Sequence, residues 1–290
     1  MNTIRIATRG SDQARTQAEA VGDALRSAWS DIAIEYVIVS TTGDQKQDVP
    51  LHQIGGQGVF VKEVQNAVLD GRADLAVHSA KDLPAATHPE LAICAFVRRR
   101  DPRDALIGVA LNALEQGATV ATGSIRRKAQ LRRLRPDLEF VELRGNIRSR
   151  LGKVPTGGSI VMALAALEIL GETNAVAEVL DISAMVPMVG QGCVAVECSA
   201  HNSQLMELMA AVDHAQTRRD VSLERIFLDE LGAGCSMPIG AHVIENDLHV
   251  FMASENGNER YFQKVFDLTG AADEEQLVRA AAREARTAVA

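Results

Sequence analysis

Strand-like and helix-like segments alternate along the first ~95 residues of this chain and then alternate again, and that double run restricts its fold more than any other feature. Residues 4–7 read as a strand, 13–28 as a helix, 32–39 as a β-branched strand, 60–69 as a helix stopped by Gly71, and 74–78 as a short buried strand. An α/β layer fold is expected from such a pattern. The segment Arg98-Arg99-Arg100-Asp101-Pro102-Arg103-Asp104 is a charged break that reads as a hinge. A second run follows: a strand at 119–122, a helix at 125–134 ended by Pro136, a strand at 138–143, a helix opened by Arg144-Gly145-Asn146, and a buried strand at 160–163. Gly190-Gln191-Gly192 marks a second crossing, ahead of a strand at 194–198. Two similar lobes joined at two crossings would enclose a cleft. The tail differs, with a helix at 222–231, strands at 239–244, 248–254 and 261–268, and an Ala-rich helix from about Asp273. It reads as a small antiparallel α+β unit. The expected domains are therefore 1–97 with 193–212, 98–192, and 213–290.

Several classes of protein are excluded. The longest uninterrupted apolar stretch, residues 160–167, has eight residues, where a membrane span needs about 20. No apolar h-region or cleavage site opens the chain, so no secretory signal is expected. Four cysteines are too sparse for a disulfide scaffold, and none has CxxC or zinc spacing, so a reducing cytoplasm and no metal are expected. A net charge of −8 with ten aromatic residues argues against a general single-strand nucleic-acid binder.

Against that acidic background, residues 126–150 hold nine basic side chains and three acidic ones. Arg132, Arg133 and Arg135 read equally well as a solvated helix face. Arg126 and Arg127 differ, because they fall in the first turn of their helix, where cations oppose the macrodipole. An anion joining them would explain the placement. The Thr122 and Ser124 hydroxyls, free backbone N–H groups and two guanidinium forks would together grip carboxylates or phosphates. Arg144 and Arg150 flank another turn-to-helix junction, and Arg9 lies at a third. Three Arg-bearing loops at strand C-terminal ends imply a polyanionic small ligand in the cleft.

Two further segments carry candidate chemistry. Lys81-Asp82 is the kind of neighbour pair that forms surface ion pairs, yet it follows a buried strand, where α/β proteins place functional loops. Asp82 is a candidate acid/base or cation-stabilising carboxylate. His78 lies within the apolar run and reads as a core histidine. Cys235 tips a loop with two glycines, which suits an idle loop thiol or a nucleophile and covalent attachment point. Cys94, Cys193 and Cys198 sit in or beside apolar strands and read as core.

Nine motifs, in order along nearly the whole chain, resemble the porphobilinogen deaminase (hydroxymethylbilane synthase) family. They are Arg5-Ile6-Ala7-Thr8-Arg9 with Ser11 and Gln17, Ser40-Thr41-Thr42-Gly43-Asp44, Gly58-Val59-Phe60-Val61-Lys62-Glu63, His78-Ser79-Ala80-Lys81-Asp82-Leu83-Pro84, Asp101-Pro102-Arg103-Asp104-Ala105, Ser124-Ile125-Arg126-Arg127, Leu143-Arg144-Gly145-Asn146, Val189-Gly190-Gln191-Gly192, and Gly234-Cys235. The resemblance implies two lobes like those of periplasmic-type binding proteins and a small α+β domain carrying the cysteine. It implies that four porphobilinogen molecules are deaminated and joined head to tail into hydroxymethylbilane, for tetrapyrrole (haem) biosynthesis. It implies a dipyrromethane cofactor held by a thioether on Cys235, with Asp44, Ser79, Lys81, Thr122, Ser124, Arg126 and Arg127 around it. Arg9, Ser11, Gln17, Arg144 and Arg150 would hold substrate, and Asp82 would be catalytic. No metal, nucleic acid or membrane is implied, and a monomer is expected.

Some positions depart from the family pattern. Gln53 and Gln57 replace lysines common in the active-site loop, Glu168 and Ile169 stand where a basic pair is common, Ala233 replaces a common Gly, and Gly123 a common Ser. Loss of one carboxylate-binding Arg would cost about 1.5–3 kcal/mol of charged hydrogen bonding. Two other readings stay open at this point: a paralogue that binds porphobilinogen or another small polyanion without full turnover, and a nucleic-acid binder built on Arg126 to Arg150.

Overall fold

A computed structural model describes residues 3–41, 58, 60–232, 237–254 and 260–290. The first run forms β1 (Thr3–Arg9), α1 (Asp12–Ala28), β2 (Ala33–Val39), α2 (Lys62–Leu69), β3 (Leu75–Ser79) and β4 (Leu91–Phe96). The local chemistry accounts for these limits. Ser11 caps α1 by accepting from the Ala14 N–H, Asp12 sits in its first turn, and Ala14, Ala18, Val21 and Leu25 bury one face at helical spacing. Residues Ala80–Asp82 form a single 3₁₀ turn directly after β3.

The second run forms β5 (Asp104–Gly108), β6 (Thr119–Ala121), α3 (Ile125–Leu134), β7 (Glu139–Val141), α4 (Ile147–Leu151), β8 (Ser159–Ala163), α5 (Leu164–Leu170) and β9 (Val176–Val179). After it come β10 (Val194–Ser199), α6 (Ser203–Met209), α7 (Ala215–Leu231), β11 (Ile239–Ile244), β12 (Asp247–Ala253), β13 (Tyr261–Asp267) and α8 (Glu274–Val289).

The first sheet has the order β2-β1-β3-β10-β4 and the second β7-β6-β8-β5-β9. In each five-stranded sheet the fourth strand of that order runs antiparallel to both its neighbours, and the other four point the same way. That fourth strand follows directly from a crossing, β5 from the first and β10 from the second. The two lobes therefore repeat one topology, as the two alternating runs led us to expect. The third sheet, β11-β12-β13, is antiparallel, and α7 and α8 pack on it through Phe227, Leu231, Val278 and Ala282. The fold is thus mixed α/β, with two sheet-rich lobes and a small C-terminal α+β unit.

Three elements were not foreseen, β5, β9 and α6, and β4 was foreseen only as an apolar strand at Cys94 without bounds. Leu91–Phe96 is a short apolar run whose periodicity does not separate strand from helix. The charged break at 98–104 needs a correction, because its last residue, Asp104, begins a buried strand and is 0% exposed.

Both crossings meet the C-terminal unit at one buried carboxylate. Glu224 of α7 accepts from Arg99 (2.6 and 3.0 Å), the Gly190 N–H (2.8 Å) and the Val243 N–H (2.9 Å), and lies 2.9 Å from His242 Nδ1.

Candidate active site

The end of β1, the start of α1 and the end of β3 converge on a pocket in the first lobe. Arg9, Ser11, Gln17, Phe60, His78, Ser79 and Asp82 all line it. The Gln17 amide and the Ser79 hydroxyl exchange hydrogen bonds at 3.0 and 3.1 Å, which ties α1 to β3 at the pocket wall. The Arg9 guanidinium lies over the Phe60 ring, 4.0 Å from its centroid, an arrangement that holds the cation at the pocket wall. His78 is buried and places Nε2 3.1 Å from Glu197, whose carboxylate also accepts from Gln65 at 2.8 Å. The core reading of His78 holds, and so does that of the buried Cys94, Cys193 and Cys198.

The second lobe contributes the basic residues. Ser124 caps α3 by accepting from the Arg127 N–H (3.4 Å), and Thr122 Oγ1 accepts from the Ser124 N–H (3.2 Å). A buried carboxylate of the chain itself already joins Arg126 and Arg127. Asp104 accepts from Arg126 Nη2 at 2.6 Å and from Arg127 at 2.7 and 3.0 Å, and Gln191 donates to it at 2.9 Å. Arg126 gives its other fork to the Val186 carbonyl, and Arg127 to the Val161 carbonyl. The sequence reading missed Asp104 as the partner of this pair, although its motif, Asp-Pro-Arg-Asp-Ala, was in view. Arg150 donates from Nε to the Gly145 carbonyl at 2.7 Å, which fixes the root of its guanidinium beside the turn that carries Arg144.

Charge couples the two lobes. Burial pushes the Lys81 ammonium down to about 8, Arg127 adds to that push, and Asp82 and Asp104 oppose it. Burial likewise pushes Arg150 down to about 10, helped by Arg127 and Arg144 and opposed by Asp82 and Glu142. The structure thus brings Lys81 and Asp82 of the first lobe within electrostatic reach of Arg127 and Arg150 of the second. Positive charge crowded into a buried place calls for an anion of several charges. Asp44, Cys235, Gln53, Gln57 and Ala233 lie outside the described residues. Glu168 and Ile169 are partly exposed on α5, which packs against α1 of the facing lobe.

Comparison with known proteins agrees with this geometry. Residues 4–207 match the model of the porphobilinogen deaminase dipyromethane cofactor binding domain, and residues 219–286 match that of the porphobilinogen deaminase C-terminal domain. A porphobilinogen deaminase of Acidothermus cellulolyticus is 47% identical over 250 residues, 83% of this chain and 75% of that protein. One from Stenotrophomonas maltophilia is 42% identical over 287 residues, 97% of this chain and 90% of that protein. With both parts of the chain matched and relatives this similar along most of its length, the chain belongs to the porphobilinogen deaminase family.

Proposed function

We propose that this protein is a hydroxymethylbilane synthase that deaminates four porphobilinogen molecules and joins them head to tail, with Asp82 as its catalytic carboxylate. The observation that carries the reading is the position of Asp82. It lines the Arg9–Ser11–Gln17 pocket and acts electrostatically on both Lys81 and Arg150.

The chemistry asks for that position. Each pyrrole bears an acetate and a propionate, so substrate and growing chain need guanidinium partners. Arg9, Ser11, Gln17, Arg144 and Arg150 would orient the incoming pyrrole. Loss of ammonia leaves a cationic azafulvene, and Asp82, beneath the pyrrole N–H, would stabilise that charge and take part in proton transfer. The crowded cations Lys81, Arg127 and Arg150 suit a dipyrromethane with its four carboxylates, so the residues present fit that group. When bound it supplies the pyrrole α-carbon from which the chain is extended. Lys81, Ser79, Thr122, Ser124, Arg126, Arg127 and Asp44 would hold it, and a thioether on Cys235 would keep the chain from diffusing away between additions. Arg126 and Arg127, already bridged by Asp104, would act as a preset scaffold rather than as free forks.

We take the domains to be 1–97 with 193–212, 98–192 and 213–290, a division supported by the separation of the strands into three sheets. We take the protein to work as a cytoplasmic monomer, without metal, nucleic acid or membrane. The alternative of binding without full turnover rests mainly on Glu168 and Ile169.

Intact mass of the denatured protein, beside a Cys235→Ser variant, tests the reading. An excess of two linked pyrroles in the parent and none in the variant is expected, together with ammonia release and bilane formation by the parent. A protein whose Cys235 stays unmodified after incubation with porphobilinogen would overturn it.

A further inference from the structure

The loop leaving β7 runs beside the start of α3, tied to it by the Thr122 N–H, which donates to the Val141 carbonyl at 2.9 Å. Glu142 is the first residue of that loop. Its carboxylate rests against Gly123, so closely that a Cβ built there would lie 2.7 Å from Glu142 Oε1 and 3.1 Å from the Leu143 carbonyl oxygen. The glycine leaves room for the carboxylate at the head of α3, next to the residues that cap it. The Ile125 and Arg126 N–H groups of that first turn precede the intrahelical ladder. The same carboxylate acts on Arg150 from its own lobe, while Asp82 acts on it from the other. Glu142 is exposed, in contrast to buried Asp104, so no packing demands it.

We propose that Glu142 is a built-in competitor for the carboxylate arms of the pyrrole, a specificity-determining residue that weakens the hold of the Arg127–Arg144–Arg150 cluster on its anionic ligand. The inference rests on the deaminase reading and deepens it. An exposed carboxylate beside a basic cluster raises the cost of bringing in a second anion through like-charge repulsion. Binding given up equally in ground state and transition state raises KM and leaves kcat in place. The absent side chain at 123 and the acidic one at 142 then act together, since a Cβ at 123 meets the far end of a flexible side chain and would push it aside.

Steady-state rates of bilane formation by Glu142→Gln and Gly123→Ala, in the full chain carrying its primer, test the idea. Glu142→Gln is expected to lower KM for porphobilinogen threefold or more with kcat nearly unchanged. Gly123→Ala is expected to shift KM the same way, with no further gain in the double variant. A merely structural role for Glu142 would move the melting temperature and leave KM where it was. Calorimetric titration with the pyrrole that keeps both acid arms and lacks the aminomethyl group reads the same competition without turnover. Tighter binding of that probe by Glu142→Gln in a protein that forms no bilane would uphold the competitor and overturn the function. Bilane formation with unchanged or raised KM, and unchanged probe affinity, would overturn the competitor alone.

Discussion

Lys81 holds its charge in an unfavourable place. Its folded value near 8 lies below the ordinary 10.5, first because the ammonium is buried and then because Arg127 repels it. Between those two values the unfolded chain binds more protons than the folded one, so stability rises with pH across that window. Below about pH 8 the whole penalty is present. The melting temperature of protein without its primer is therefore expected to climb, relative to Lys81→Met, between about pH 8 and 10.5. Parallel pH curves for the two proteins would refute this. A bound polyanion compensates the same charge, so the primed protein should show a smaller climb. Residue by residue, the sequence exposed the basic cluster because nine cations in one window stand out against an acidic chain. It did not expose the cluster's internal wiring. Asp104 looks like one more charge in a polar break, and only the return of the chain as β5 carries it between Arg126 and Arg127.

The second crossing presses on the turn that presents Lys81 and Asp82. Gly190 has a φ of +69°, and a Cβ there would come within 3.0 Å of the Ala80 carbonyl carbon and Cβ and 3.1 Å of the Lys81 nitrogen. Both the left-handed backbone and the close approach require glycine. Gly190→Ala is expected to destabilise the protein by about 1–3 kcal/mol through overpacking and to lower kcat by about ten- to hundredfold, because the turn that carries the proposed catalytic residue Asp82 is displaced. Rates and thermal melts on the same preparation check this, and a stability loss with intact kcat would show that the turn yields without moving Asp82. At this scale the elements with strong periodicity and clear punctuation were legible. The strands at 239–244 and 160–163 and the helices closed by Gly71 and Pro136 fall within a residue or two of expectation. Short segments were not. Val176–Val179 is an edge strand of four residues, defined by pairing with β5 rather than by any pattern of its own.

For the whole molecule, two crossings and a third unit must keep one relative placement if a chain of pyrroles is to grow in a single cleft. Glu224 supplies that constraint. Burial disfavours its charge, yet Arg99 and His242 outweigh burial and hold the carboxyl down at about 2. A carboxylate so depressed contributes stability that is fully present above its ordinary value near 4.5 and is lost as pH falls toward 2. Because Arg99 comes from the first crossing, Gly190 from the second and His242 from β11, that loss falls on the junction of all three units. Replacing Glu224 by Gln leaves the Arg99 guanidinium, only 10% exposed, without its counter-charge, a change expected to destabilise the protein by about 3–5 kcal/mol. Acid titrations followed by circular dichroism should show the parent losing stability between about pH 4.5 and 2, with Glu224→Gln flatter over the same interval. Calorimetry of the variant at neutral pH should show the C-terminal unit melting ahead of the two lobes, since the carboxylate that gathered them is gone while the Phe227–Leu231–Val278 core within that unit is untouched. One unsplit transition in the variant, with acid sensitivity like the parent's, would mean that apolar packing between the units, not the buried carboxylate, sets their cooperation.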